Sequence, residues 1–301
     1  MQNLILLIMC FIAGMALRHF RRMPEQAPAA LNSFIIHISL PALTLLYIHD
    51  LRFSGTLLLI ALMPWLIFGL SAIFFWLIGR WLNMPRATVG ALILVGGLGN
   101  TSFFGLPMVE AYYGVGALPT AIIIDQLGSF CALSILGITV AGIYSSGRPT
   151  ASETIKRILQ FPPFIALVMA LLLLPFEYSV WLTMLLKRLG DTLAPLALLS
   201  VGLQLHLGHI AGNARNLTIG LLFKLILAPL FIFLLYVLFF DAHGQAMQVT
   251  LFEAAMPPMI TAAIVANEHN LDPPLANLMV AIGLLLSFAT LTLWWWLGQA
   301  I

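Results

Sequence analysis

The sequence predicts an all-α polytopic membrane protein of ten transmembrane helices, arranged as two inverted five-helix repeats. Three observations predict it. Apolar runs of span length recur along the whole chain. Two of them are interrupted by glycine or proline. The interruptions fall at corresponding places in the two halves.

The first observation rests on composition. Of 301 residues, 61% are hydrophobic and 8% are charged, and the mean hydropathy is +1.05. A soluble domain carries about a quarter charged residues. A membrane β-barrel would show short alternating strands, whereas these apolar runs have helix length. Cys10 and Cys131 both sit in apolar segments, which argues against a disulfide framework and a metal site. No basic cluster with interleaved aromatics suggests nucleic acid. The N-terminus does not read as a cleaved signal peptide, because Arg18, Arg21 and Arg22 follow the first apolar run rather than precede it. No Walker loop, G-x-S-x-G or H-E-x-x-H motif appears, so neither an enzyme nor an ATP-driven pump is expected.

The ten apolar segments are 3–20, 31–49, 55–79, 88–112, 117–143, 159–175, 189–208, 216–240, 246–267 and 274–299. A span needs about 20 residues; the sixth is short, and the fourth and ninth are interrupted. With the N-terminus outside, Arg18, Arg21, Arg22, Arg80, Arg86, Arg148, Lys156, Arg157 and Arg215 fall in cytoplasmic loops, against Arg52, Lys187 and Arg188 outside. That bias predicts both termini outside, in a bacterial inner membrane. Residues 178–189 are expected to form an interfacial amphipathic helix that accommodates Lys187-Arg188.

The polar connector 144–158 divides the chain into a first repeat, 1–143, and a second, 159–301. Pro41 in segment two matches Pro195 in segment seven, and Pro64 in segment three matches Pro229 in segment eight. The break in segment four matches that in segment nine. Five spans is an odd number, so the second repeat starts on the opposite side of the membrane, an arrangement used by many secondary transporters.

The first break, Gly96-Gly97-Leu98-Gly99-Asn100-Thr101-Ser102-Phe103-Phe104-Gly105-Leu106-Pro107, is built to stop being a helix. The second is Met256-Pro257-Pro258-Met259-Ile260-Thr261. Half-helices meeting at mid-membrane present unpaired N–H groups and partial positive charge, which suits a small organic anion. The candidate binding residues are Asn100, Thr101, Ser102, Gly105 and Pro107 from the first break, and Pro257, Pro258 and Thr261 from the second. The alternative for the glycines is close helix packing. Asp125 and Glu253 are the acids deepest in spans, and a charge there is costly. Each can take a proton, bind a coupling cation, or pair with Lys224; otherwise it is a buried acid paired for structure. No cofactor is expected, with proton or sodium coupling open. His37 reads as a core histidine bonded to a neighbour, His206 and His209 carry no metal-ligand spacing, and Trp294-Trp295-Trp296 reads as an interfacial anchor.

Four stretches resemble the auxin efflux carrier family in its small bacterial form: Gly99–Pro107, Leu189–Leu203, Lys224–Pro229, and Glu253–Pro258 with Ala266–Asn270 following. That family includes the plant auxin transporters and bacterial permeases for malate or malonate. The resemblance spans nearly the whole chain. It implies crossing broken helices four and nine, a fold shared with sodium/proton antiporters and bile-acid/sodium symporters. It also implies a dimerising scaffold from helices one, two, six and seven, and a moving transport domain from helices three to five and eight to ten. Asn100 matches the family's substrate-contacting asparagine, Gln126 falls where a polar residue of helix five lines the pocket, and Pro257-Pro258 matches the second crossing. The long cytoplasmic loop of the plant members is absent.

The expected function is secondary transport of a small organic anion, a mono- or dicarboxylate or an auxin-like acid, by alternating access. The expected partners are that anion, membrane lipid and a second copy of the chain. The rivals are a cation/proton antiporter on the same scaffold and a ligand-sensing membrane module.

Overall fold

The computed structural model describes residues 2–49, 57–145, 159–205 and 213–300, and the side chains of these from residue 5 onward. The connector beyond Ser145 lies outside them, as do Arg52, Arg148, Lys156, Arg157, His206 and His209. Among the described residues, regular structure is helical apart from one isolated β-bridge. The helices are α1 (Gln2–His19), α2 (Ala27–Ile48), α3 (Leu57–Trp81), α4 (Arg86–Gly97), α5 (Leu106–Tyr113), α6 (Val115–Tyr144) and α7 (Pro162–Leu172). They continue as α8 (Val180–Gly190), α9 (Leu193–Gln204), α10 (Ala214–Phe239), α11 (Gln245–Ala254), α12 (Ile260–Glu268) and α13 (Pro273–Gly298). Five of these, α2, α3, α6, α10 and α13, are long and apolar enough by themselves to cross a membrane.

Proline leaves a repeated local signature. The π-turns Ile35–Ser39, Thr101–Gly105 and Phe223–Leu227 each end two residues before a proline, at Pro41, Pro107 and Pro229. Proline has no N–H to donate, and its ring crowds the carbonyl four residues back. One wider turn absorbs that clash. Accordingly the N–H of Leu40 bonds to Ile35 O, and that of Ala228 to Phe223 O, each five residues back.

The chain divides into two compact units. The first comprises Met1–Ser54, Ser102–Ile122 and Lys156–Leu205. Within it α1 packs on α9, and α7 packs on α2. The α1–α9 crossing is glycine-mediated: a Cβ on Gly14 would collide with Leu199 O, and one on Gly202 with Phe11 O. The backbones therefore approach as closely as small residues allow. Arg18 donates to Leu203 O at 2.8 Å and Leu205 O at 3.1 Å, serving carbonyls at the C-terminal end of α9 that have no helical partner. The helix expected near 178–189 is α8, with Trp181, Met184 and Leu185 exposed. Its Lys187 pairs with Asp191 at 2.8 Å. His37 corrects an expectation: its Nδ1 lies 2.8 Å from Ser33 O, but the ring is exposed, on the outer side of α2.

The second unit comprises Gly55–Thr101, Ile123–Ile155 and His206–Ile301. Here α6 approaches Pro64 of α3 through Gly128, where a Cβ would meet the proline ring. Trp65 of α3 donates its indole N–H to Leu127 O at 3.0 Å. Asp272 caps α13 from a left-handed backbone (φ 43°), accepting from Leu275 N and from Thr88 Oγ1 at 2.7 Å. That hydroxyl ties the first turn of α4 to the first turn of α13. Short polar residues such as Asp tolerate this conformation better than most.

Candidate functional site

Both predicted helix breaks are present, and in the second unit they meet. Helix α4 stops at Gly97, and Leu98 is extended (φ −118°, ψ 130°). Helix α11 stops at Ala254, and α12 resumes at Ile260 after an extended Met259 (φ −70°, ψ 127°). The two interruptions run antiparallel and form the isolated bridge between Gly99 and Pro258. Asn100 N–H donates to Pro257 O at 2.8 Å, and Met259 N–H donates to Leu98 O at 3.0 Å. Away from water each of these backbone groups would cost several kcal/mol if left unpaired. The crossing thus satisfies itself, and two N–H groups that could otherwise serve an anion are already engaged.

The glycines of the first break divide their work. A Cβ on Gly96 would strike Phe75, and one on Gly97 would strike Ser71, so these two serve close packing against α3. Gly99 is at ordinary contact distance from its neighbours, Lys224 Nζ and Met256 among them, and faces the crossing. On the far side, Gly283 of α13 leaves the space that the Pro258 ring fills.

Around the crossing the side chains are polar and buried: Asn100, Thr101, Asp125, Gln126, Ser129, Lys224 and Glu253. Thr101 Oγ1 donates to Asp125 Oδ1 at 2.7 Å. Asp125 and Gln126 lie in the π-turn Ile124–Phe130 of α6, the kind of wide turn often found where a helix carries functional groups. Asn100 Nδ2 and Ser129 Oγ are buried without a hydrogen-bond partner, and so are both carboxylate oxygens of Glu253. Lys224 Nζ does not bond Glu253; it donates to Ala254 O, the last residue of α11, at 2.8 Å. A small cavity lies against Met63, Pro64, Ile67, Gly97, Gly99, Thr101, Ser129, Lys224 and Glu253. It has room for about one water molecule, so no carboxylic acid of even two carbons fits there in this conformation.

The predicted site residues are not all brought together. Asn100, Thr101, Asp125, Gln126, Glu253, Pro257 and Pro258 belong to the second unit and surround the crossing. Thr261 belongs to that unit too but is exposed on α12. Ser102, Gly105 and Pro107 belong to the first unit, into which the chain passes at residue 102; Gly105 and Pro107 are buried there.

Sequence reasoning missed two functional contributors. It noted Lys224 without its carbonyl partner. It read Trp294 as an interfacial anchor, whereas Trp294 is buried and donates its indole N–H to Leu225 O at 2.9 Å. Leu225 O is the carbonyl that Pro229, lacking an N–H, cannot serve. The indole therefore stabilises the π-turn that carries Lys224. Trp296 remains exposed, as an anchor would be. The signal for Trp294 was available: a proline four residues after Leu225 announces a carbonyl in need of a donor.

The comparisons with known proteins agree with this arrangement. The membrane transport protein family matches residues 1–153 and 145–295. A transporter of Methanocaldococcus jannaschii without an assigned substrate is 26% identical, over 99% of this chain and 98% of its own. Auxin efflux carrier component 6 of Arabidopsis thaliana is 26% identical over 64% of this chain and 33% of its own length. A Rhizobium meliloti protein with a provisional malonate-transporter name is 25% identical over 89% of this chain and 86% of its own. Matched over nearly its full length, with apolar helices that embed it in a membrane, the chain belongs to the membrane transport protein family of the auxin efflux carriers, whose members are transporters and not enzymes.

Proposed function

We propose that this protein is a secondary transporter of the bacterial inner membrane that carries a small organic anion, a mono- or dicarboxylate, by alternating access. The single observation that carries the reading is the crossing: two broken helices paired through their backbones, ringed by buried amide, hydroxyl and charged groups inside an otherwise apolar unit. Irregular backbone at membrane depth is tolerated where protein covers it or where it lines a path for substrate and ions. Malonate is the first substrate to try, because one relative carries that name.

The architecture we propose is ten spans in two inverted repeats, 1–143 and 159–301, joined by the connector 144–158. Two features support it. The breaks occupy corresponding spans, four and nine. In the first unit α1 packs on α9 and α7 on α2, which is helix one on seven and helix six on two, the exchange that repeat symmetry requires. In this reading helices one, two, six and seven form a scaffold that pairs with a second copy, surrounded by lipid, and helices three to five and eight to ten move the substrate. The first unit's content supports the scaffold assignment, with the difference that the second half of broken helix four, Ser102–Ile122, groups with it.

The anion is held near Asn100, Thr101, Gln126, Pro257 and Pro258, with Ser102, Gly105, Pro107 and Thr261 on its path. Asn100 is the strongest of these, because its amide N–H groups are buried and unclaimed. The test is uptake of radiolabelled malonate and related acids into proteoliposomes, with thermal stabilisation of the purified protein by the same acids. Saturable uptake of one carboxylate, abolished in Asn100→Ala while the variant still inserts and folds, supports the reading. Cation-for-proton exchange with no organic substrate would replace it with the antiporter alternative centred on Asp125 and Glu253.

A further inference from the structure

We propose that Lys224 is a tethered cation that takes the place of a coupling metal ion at the helix crossing, so that the transport cycle proposed above runs without sodium. This deepens that reading and rests on it.

The geometry is that of a cation site with an amine inside it. Lys224 is 1% exposed, in the middle of α10, and Nζ donates to Ala254 O at 2.8 Å. Ala254 ends α11, so its carbonyl has no helical partner and sits at the negative end of that half-helix. Beside it the two oxygens of Glu253 are buried and receive no hydrogen bond. Thr101 and Ser129 add hydroxyl oxygens to the same cavity wall. A terminal carbonyl, a carboxylate and hydroxyls around one small space form the all-oxygen donor set that hard cations take. Here the positive charge is supplied by an ammonium, a compact point charge with three donors. The charges around the crossing are Lys224, Glu253 and Asp125, and Asp125 is already engaged by Thr101 Oγ1. Lys224 balances one acid, and a proton suffices for the other; no metal ion is needed to make the site neutral.

The lysine is also held in place. Its π-turn is fixed by the Trp294 indole on Leu225 O, and its stem is packed in the wall shared with Met63, Pro64 and Ile67. A side chain so fixed cannot leave the site and return as a free ion does. Its charge moves only with the unit that carries it.

The experiment is thermal unfolding of the purified full-length protein in detergent, with sodium chloride titrated against choline chloride at constant ionic strength and pH, and lithium chloride as a second probe. The wild type is expected to unfold at the same temperature in sodium and in choline. Lys224→Ala leaves Glu253, Ala254 O, Thr101 and Ser129 without their cation. It is expected to be less stable in choline and to recover by several degrees, saturably, in sodium or lithium, as a ligand bound only by the folded state requires. Lys224→Met, which keeps the apolar stem, repeats the test should the alanine variant fail to fold. A saturable, sodium-specific stabilisation of the wild type overturns the proposal without any variant, and so does a folded Lys224 variant that ignores both cations. These arms contain no organic acid. Their failure therefore leaves the anion reading standing, and a failure to find the anion leaves them valid.

Discussion

At the scale of single residues, the polar groups of the second unit serve two different purposes. Trp294 and Thr88 complete backbone and cap geometry: one donates to the carbonyl orphaned by Pro229, the other to the capping carboxylate of Asp272. Asn100, Ser129 and Glu253 present atoms that the fold leaves unserved. Removing a donor of the first kind should cost stability. Trp294→Phe keeps an aromatic ring and loses the N–H; it is expected to lower stability by about 1 kcal/mol, typical of a side-chain hydrogen bond within a membrane protein, measured as a fall in the unfolding midpoint. Removing a donor of the second kind should cost binding instead. Asn100→Ala is expected to unfold at the wild-type temperature without ligand and to lose the stabilisation by carboxylate. Lys187 behaves as a surface group. Its hydrogen bond to Asp191 raises its pKa above the usual lysine value, opposed by slight burial. The stability it contributes is therefore present at neutral pH and lost only as pH rises through the raised pKa. Both side chains are about half exposed, so the contribution is small and screened by salt. Asp191→Asn should leave the neutral-pH midpoint nearly unchanged and remove the alkaline slope.

At the scale of elements, glycine separates helix pairs that must touch from helices that merely contain a small residue. Gly14 and Gly202 set the α1–α9 distance reciprocally, each against a backbone oxygen of the other helix. A backbone oxygen cannot rotate aside, so Gly14→Ala should force the helices apart, at a cost of about 1–3 kcal/mol. Gly69 of α3 is different: nothing lies within 4 Å of the place a Cβ would take there. Gly69→Ala should be neutral or should stabilise by up to about 1 kcal/mol through helix propensity. Thermal unfolding of the two variants side by side checks both. The breaks obey the same logic: glycine and proline remove the means to continue the helix, and the opposite break supplies the hydrogen bonds that continuation would have supplied.

At the scale of the molecule, the charge bias of the loops gives a further expectation, that both termini lie outside. A C-terminal fusion to alkaline phosphatase should then be active, and the same fusion to green fluorescent protein dark; the reverse pattern would invert the topology. The narrowness of the crossing also restricts where substrate can go. Its cavity accepts about one water molecule, so a bound carboxylate requires a conformation in which the second unit's polar face is more open. That is the behaviour alternating access demands of a transport domain. Uptake that saturates with one carboxylate, and is unchanged when choline replaces sodium outside, is the outcome expected for the whole cycle.

Much of this was legible in the sequence, because membrane solvent imposes strong local rules. Apolar length marked the helical segments, and runs of glycine and proline marked both breaks to within a few residues, since hydrocarbon offers no water to a backbone that leaves its helix. Asp125 and Glu253 stood out because ionisable groups are rare at that depth. Only the tertiary structure decided who serves whom. Asn100 meets Pro257, Lys224 meets Ala254, Thr101 meets Asp125 and Trp294 meets Leu225 across separations that no local pattern encodes. Composition says that an unpaired group in an apolar medium must find a partner. Which partner it finds depends on which helices glycine allows to approach, and at what height along the membrane they cross.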